Sequence, residues 1–257
     1  MLVDTHTHLQ FPAFDADREA VLARAWAAGV ARLVVVGTDL PSSRAALALA
    51  KSHPGRVWAT VGFHPHEAQR LDAAALAELG RLACEPEVVA IGEVGLDYYR
   101  DHCPRAAQHE ALRRQMALAL ARRLPLVIHS RDALDEIDAE LEQGGGYGTR
   151  VVLHCYTSHP EEVSRFAERG CWLSVSGPVA FPRATDAHEV AATVPADRLL
   201  LETDCPYLAP PPHRGQRAEP AHVRRVAEAV ARLRGATADE VIAMTGANAA
   251  AFFGWAR

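Results

Sequence analysis

Short, continuously apolar runs recur along the chain at residues 2–5, 32–37, 57–62, 88–93, 125–129, 150–154, 171–175 and 198–203. They do not alternate with polar residues, which is the pattern of parallel strands buried on both faces. Helical patterns fill the intervals. Residues 15–28 are closed by Gly29, 42–52 follow Pro41, 72–84 open on Asp72, and 104–124 carry Pro in the first turn. Further helices are predicted at 132–143, 160–169, 186–194 and 220–233. A last one, at 238–253, follows Thr237 and has Asp239 and Glu240 in its first turn. Eight strands alternating with eight helices predict an α/β fold, a (β/α)8 TIM barrel formed as a single domain over residues 1–257, with one extra C-terminal helix.

Composition narrows the class. The 257 residues are 49% hydrophobic and 23% charged, an ordinary globular balance. The net charge of −5 argues against a broad face that wraps duplex DNA, although a small site gripping one or two phosphates is compatible with it. No apolar run approaches the roughly 18 residues that span a bilayer, and MLVDTHTHLQ has neither a basic nor an apolar leader segment. Five cysteines without a C-x-x-C spacing read as free thiols of a reducing compartment. The expectation is a cytoplasmic protein with no membrane association and no obligate protein partner.

Active sites of such barrels sit at the C-terminal ends of the strands, and six of the eight predicted strands end in His, Glu or Asp. Strand 1 ends Asp4-Thr5-His6-Thr7-His8, strand 3 Gly62-Phe63-His64-Pro65-His66, strand 4 at Glu93, strand 5 at His129, strand 6 at His154, and strand 8 at Glu202-Thr203-Asp204. Residues two apart on a strand share a face. His6 and His8 can therefore address one ion, with Asp4 beneath them. Glu93 has two oxygens and could bridge two cations. A single His or Glu at such a place is commonly a core histidine or a turn residue. Six together at one end of a barrel are costly to bury without a cation. The only lysine, Lys51, falls in a predicted helix, so a carboxylated lysine is not available as a bridge.

At these residues the chain resembles the TatD family of metal-dependent deoxyribonucleases, within the amidohydrolase-like barrels. The resemblance runs over essentially the whole chain. It is carried by residues 4–8, 62–66, Gly92-Glu93-Val94-Gly95-Leu96-Asp97-Tyr98-Tyr99, His129-Ser130-Arg131-Asp132-Ala133, His154-Cys155-Tyr156-Thr157 and 201–208, with His213-Arg214-Gly215, Glu219-Pro220 and Asn248 downstream. It implies two divalent ions (Zn, Mn or Mg), one on His6, His8, Glu93 and Asp204 and the other on Glu93, His129 and His154, with His64 close to the substrate phosphate. Tyr156-Thr157-Ser158, Cys205 and the loop 177–182 depart from the family pattern without removing a ligand.

The expected chemistry is hydrolysis of DNA phosphodiester bonds by a water activated between two cations. Asp204, Glu93 and His64 are the expected catalytic residues: Asp204 accepts the water's proton, and His64 hydrogen-bonds the phosphate or protonates the leaving oxygen. Arg131 and Arg214 are candidate phosphate contacts because guanidinium matches phosphate oxygens. By parity, Glu202 shares the face of Asp204 and could orient ligand or substrate, while Cys155 and Cys205 point away and pack. The modest charge favours exonuclease-like action on single strands or DNA ends. The competing readings are a metal-dependent amide or ester hydrolase, such as an aminoacyl-tRNA deacylase, and a non-catalytic metal-bearing scaffold.

Overall fold

The computed structural model describes residues 1–100 and 102–255. Its strands are β1 (Leu2–Thr7), β2 (Val30–Val36), β3 (Val57–Val61), β4 (Val88–Asp97), β5 (Leu126–Arg131), β6 (Val151–Leu153), β7 (Trp172–Val175) and β8 (Leu199–Leu201). Alternating with them are α1 (Arg18–Ala27), α2 (Leu40–Ser52), α3 (Ala73–Leu82), α4 (Arg105–Arg122), α5 (Leu134–Gln143), α6 (Val163–Glu168), α7 (Thr185–Thr193) and α8 (Val223–Arg234), and α9 (Ala238–Phe253) follows α8 directly. The sheet runs in the order β1-β2-β3-β4-β5-β6-β7-β8. β1 also meets β8, through a parallel bridge between Thr7 and Cys205 and a hydrogen bond of 3.0 Å from the Thr5 hydroxyl to the Leu201 carbonyl. The fold is the (β/α)8 barrel with a C-terminal helix that the alternation predicted.

Two compact units divide the chain: residues 1–34 with 155–257, and residues 35–154. The first buries Leu9, Phe14, Phe166, Leu173, Leu200 and Phe252; the second buries Leu79, Ile91, Leu96, Leu112, Met116 and Leu126.

Helix starts follow local chemistry. α2 begins at Leu40, two residues ahead of the predicted start, because Asp39 and Ser42 form a reciprocal capping box and Pro41 tolerates the first turn. Thr237 and Glu240 cap α9 in the same way. The segments predicted as helices at 160–169 and 220–233 each open with a turn of 3-10 helix, over Pro160–Glu162 and Pro220–His222.

β4 differs most from expectation. It continues to Asp97, four residues beyond Glu93, and is buried throughout. Its pairing with β5 shifts between Ile91 and Val94, after which Gly95 lies opposite His129 and Asp97 opposite Arg131. Gly95 has φ +144°, and a Cβ there would sit 1.9 Å from the His129 carbonyl oxygen. Only glycine permits this close approach, which sets β4 against β5 at the level of His129.

Candidate metal centre

In the unit of residues 35–154, Glu93 is buried in β4. Its Oε1 lies 2.9 Å from His129 Nδ1 on β5, 2.9 Å from His154 Nε2 just after β6, and 3.5 Å from His64 Nε2 just after β3. The nitrogens of His129 and His154 that face this oxygen are 3.3 Å apart. Ligands held about 2.0–2.1 Å from one zinc-like ion in tetrahedral array are separated by roughly 3.3–3.4 Å. The triangle of Glu93, His129 and His154 is thus close to the size that one cation requires. His64, Glu93 and His129 likewise offer donor atoms within 4.8 Å of one another.

Asp97 supports this triangle. Its Oδ2 lies 3.2 Å from His129 Nε2, the ring nitrogen turned away from Glu93, and 2.9 Å from His66 Nε2. Its Oδ1 accepts from the N–H groups of Tyr99 (3.0 Å) and Arg100 (2.9 Å). A carboxylate on the far nitrogen fixes ring orientation and makes the near nitrogen a better donor. Asp97 falls within residues 92–99, which carry the family resemblance, but the resemblance gives it no role. The available signal was parity, because residues 93, 95 and 97 share a strand face.

The electrostatics fit a cation. Burial pushes the Glu93 carboxyl up, but the neighbouring His154 and His64 and the hydrogen bonds from His129 and His154 hold it well below its ordinary value. Burial also opposes charge on His129, yet hydrogen bonds to Asp97 and Glu93 raise its affinity for a proton. Two carboxylates here demand positive charge; an imidazolium meets that demand, and so would a metal ion. His64 behaves oppositely. Burial outweighs the attraction of Glu93 and drives it well below the usual histidine range, so it is neutral. Its Nδ1 accepts the N–H of His66 at 3.1 Å. Its proton therefore sits on Nε2, the nitrogen facing Glu93.

In the unit of residues 1–34 and 155–257, His6 and His8 lie on one face of β1 and its end, with their Nε2 atoms 3.2 Å apart. Asp204 Oδ1 is 3.8 Å from His6 Nε2 and 3.5 Å from His8 Nε2. A point about 2.0 Å from all three atoms exists in their plane, which is again the spacing of first-row metal ligands. Asp204 has φ +56°, a left-handed conformation uncommon outside glycine and tolerated by Asp. The backbone around it is tied to β1 by hydrogen bonds from Asp204 N–H to the His6 carbonyl (3.0 Å) and from His8 N–H to the Cys205 carbonyl (2.8 Å). His8 stacks on Phe11 at 4.6 Å between ring centroids.

Asp4 serves differently from its expected place beneath the His6 and His8 rings. It accepts from Thr203 N–H (2.9 Å) and Thr203 Oγ1 (2.6 Å), and at 3.4 Å from the backbone N–H of His6. It braces the chain that presents Asp204. Burial pushes its carboxyl well above the ordinary range, against the pull of those Thr203 bonds. Glu202 accepts from Cys155 N–H (2.7 Å) and from Ser174 Oγ (2.5 Å), so it anchors the turn after His154. Cys155 places its sulfur 3.0 Å from Ser176 Oγ, and Cys205 is fully buried. Arg131 stacks on Tyr99, with its guanidinium carbon 4.0 Å from the ring centroid, and Arg214 on Phe181 at 4.7 Å. Both arginines are exposed. Among the described residues, no helix is long and apolar enough to cross a membrane.

The family model for TatD-related DNases matches residues 3–254. The chain is 40% identical over 253 residues to an uncharacterised metal-dependent hydrolase, YabD, of Bacillus subtilis, covering 98% of this chain and 99% of that one. It is 37% identical over 260 residues to the 3'-5' ssDNA/RNA exonuclease TatD of Erwinia amylovora, covering 98% of this chain and 100% of that one. Among solved structures, YJJV, a TatD homologue from Escherichia coli K12, superposes with a TM-score of 0.92 at 32% identity, covering 99% of this chain and 98% of that one.

Proposed function

This chain belongs to the TatD-related DNase family and is a metal-dependent hydrolase of ester bonds, and from that premise we propose that it is an exonuclease acting on the ends of single-stranded DNA. The observation that carries the proposal is the buried triangle of Glu93, His129 and His154, braced by Asp97 and faced by the neutral His64. We propose two divalent ions, zinc, manganese or magnesium, with His6, His8 and Asp204 as ligands to one, His129 and His154 as ligands to the other, and Glu93 as ligand to both. The mixed nitrogen and oxygen donors suit such ions. In this reading residues 1–257 act as one hydrolase domain.

Bound divalent cations supply a polarised water and neutralise charge on a phosphodiester. The chain's own residues perform the rest. Asp204 accepts the proton released by the attacking water. His64 donates from Nε2 to a phosphoryl oxygen or to the leaving oxygen, because a neutral ring whose Nδ1 is already an acceptor offers only a donor. Asp97 fixes the orientation of His129. Arg131 and Arg214 contact phosphate with the edges of guanidinium planes whose faces rest on aromatic rings. Glu202 keeps the turn after His154 in place, which supports a positioning role more than direct contact with substrate. The relatives named 3'-5' ssDNA/RNA exonucleases support 3'→5' polarity.

The test uses metal-stripped protein reloaded with zinc, manganese or magnesium and offered linear single-stranded DNA, circular single-stranded DNA, duplex DNA, RNA and small esters. Metal-dependent shortening of the linear strand from its 3' end is expected. Equal cleavage of circular and linear strands would remove the end-dependence, and turnover confined to carbonyl esters would favour the amide or ester hydrolase.

A further inference from the structure

The large apolar side chains exposed among the described residues include Tyr99, at 60% the most open, in the turn after β4. Its neighbour shows what an ordinary tyrosine does there. Tyr98 turns back on the protein, with its hydroxyl 2.7 Å from His109 Nε2 and its ring 3.8 Å from the Arg105 guanidinium carbon. The Tyr99 ring instead faces solvent, with the Arg131 guanidinium carbon 4.0 Å from its centroid and that of Arg100 at 5.8 Å. Its place is fixed. The N–H groups of Tyr99 and Arg100 both donate to Asp97 Oδ1, and Asp97 Oδ2 faces His129. Arg131 lies two residues beyond His129 on β5 and opposite Asp97 in register. Two residues along a strand span roughly 7 Å, a distance that one nucleotide covers.

From these contacts we propose that Tyr99, braced by Arg131, is the platform on which the base next to the cleaved linkage stacks. Aromatic faces beside cationic groups are how single strands are held without reading their sequence, because every base has a π-face. A guanidinium stacked on a ring keeps its N–H edge for phosphate. Tyr99 would then hold the base while Arg131 holds the adjoining phosphate. The inference rests on the nucleic-acid reading above and adds to it a specific binding contact at the strand end.

The test compares wild-type, Y99A and Y99W holoenzyme on a single-stranded oligonucleotide and on the same strand with an abasic unit at the stacking position. Loss of one stacked base is worth between about fivefold and 150-fold. Y99A should raise KM on the normal strand by that factor with little change in kcat, and Y99W should restore it. On the abasic strand, wild type should already show the raised KM, and Y99A should add nothing. Equal losses on both strands, or no loss on either, would overturn the platform. If wild-type holoenzyme turns over no nucleic acid, the nuclease reading fails, and anisotropy with the same labelled strands still decides the platform. Equal affinities of wild type and Y99A for the normal strand would then overturn it.

Discussion

His64 is the residue whose chemistry is most constrained. Its Nδ1 is held as an acceptor by the His66 N–H, and burial keeps the ring uncharged, so Nε2 acts only as a donor. Removing a donor aimed at charge developing in the transition state typically slows turnover by about 100-fold or more. H64A holoenzyme should therefore lose about that factor in kcat with KM changed only a few-fold; a change confined to KM would contradict the role. Asp97 acts through His129. D97N keeps a hydrogen-bonding oxygen but loses the charge, and metal affinity should fall about 10–100-fold, as read by competition with a chelator. Unchanged affinity would make Asp97 merely structural. The residues proposed as ligands stand out in the sequence because they are polar groups at or just beyond apolar runs. Asp97 was less so, because the apolar run was read as ending at Glu93, whereas the strand continues four residues to Asp97. The bonds of Asp4 and Glu202 were not legible: parity gives a face, and their partners, Thr203 and Ser174, are chosen by the packing of separate strands.

At the scale of elements, β4 and its contact with β5 set the geometry. A Cβ at position 95 would meet the His129 carbonyl at 1.9 Å. G95A should therefore both destabilise the protein and weaken metal binding, whereas G55A, where a Cβ meets nothing within 4 Å, should leave metal binding unchanged. Metal titration of the two variants separates the site from general strain. Helix ends were read to within a few residues because caps and prolines are local signals. The strand ends after Glu93 and His129 were not, because polar residues interrupt the apolar pattern that marks a strand. The start of α8 adds a pH dependence. His222 in the turn before it is lowered to about 4, chiefly by burial and then by His213. Its folded form is the weaker base, so the unfolded chain gains a proton first as pH falls. Stability linked to His222 is full above about pH 6.5 and falls as pH drops toward 4. H222N should flatten that part of a melting-temperature profile; an identical slope would contradict the assignment.

The whole molecule carries a net charge of −5, and the proposed phosphate contacts are two exposed arginines. Single-strand affinity should then depend weakly on salt, with log K against log salt sloping about −1.4 for two contacts. A slope several times steeper would require a basic path beyond Arg131 and Arg214. The architecture was legible because eight continuous apolar runs alternate with capped helices, a pattern that few folds satisfy. The closure of β1 on β8 was implied by that count and is borne by the Thr7–Cys205 bridge and the Thr5–Leu201 hydrogen bond. Cation binding by the histidines and acids underlies every proposed step, and metal counting after equilibrium dialysis tests it most directly. Wild-type protein should retain about two divalent ions per chain, and the H6A/H8A and H129A/H154A variants should each lose one. Wild-type protein that retains no ion, or paired variants that retain as many as wild type, would contradict it.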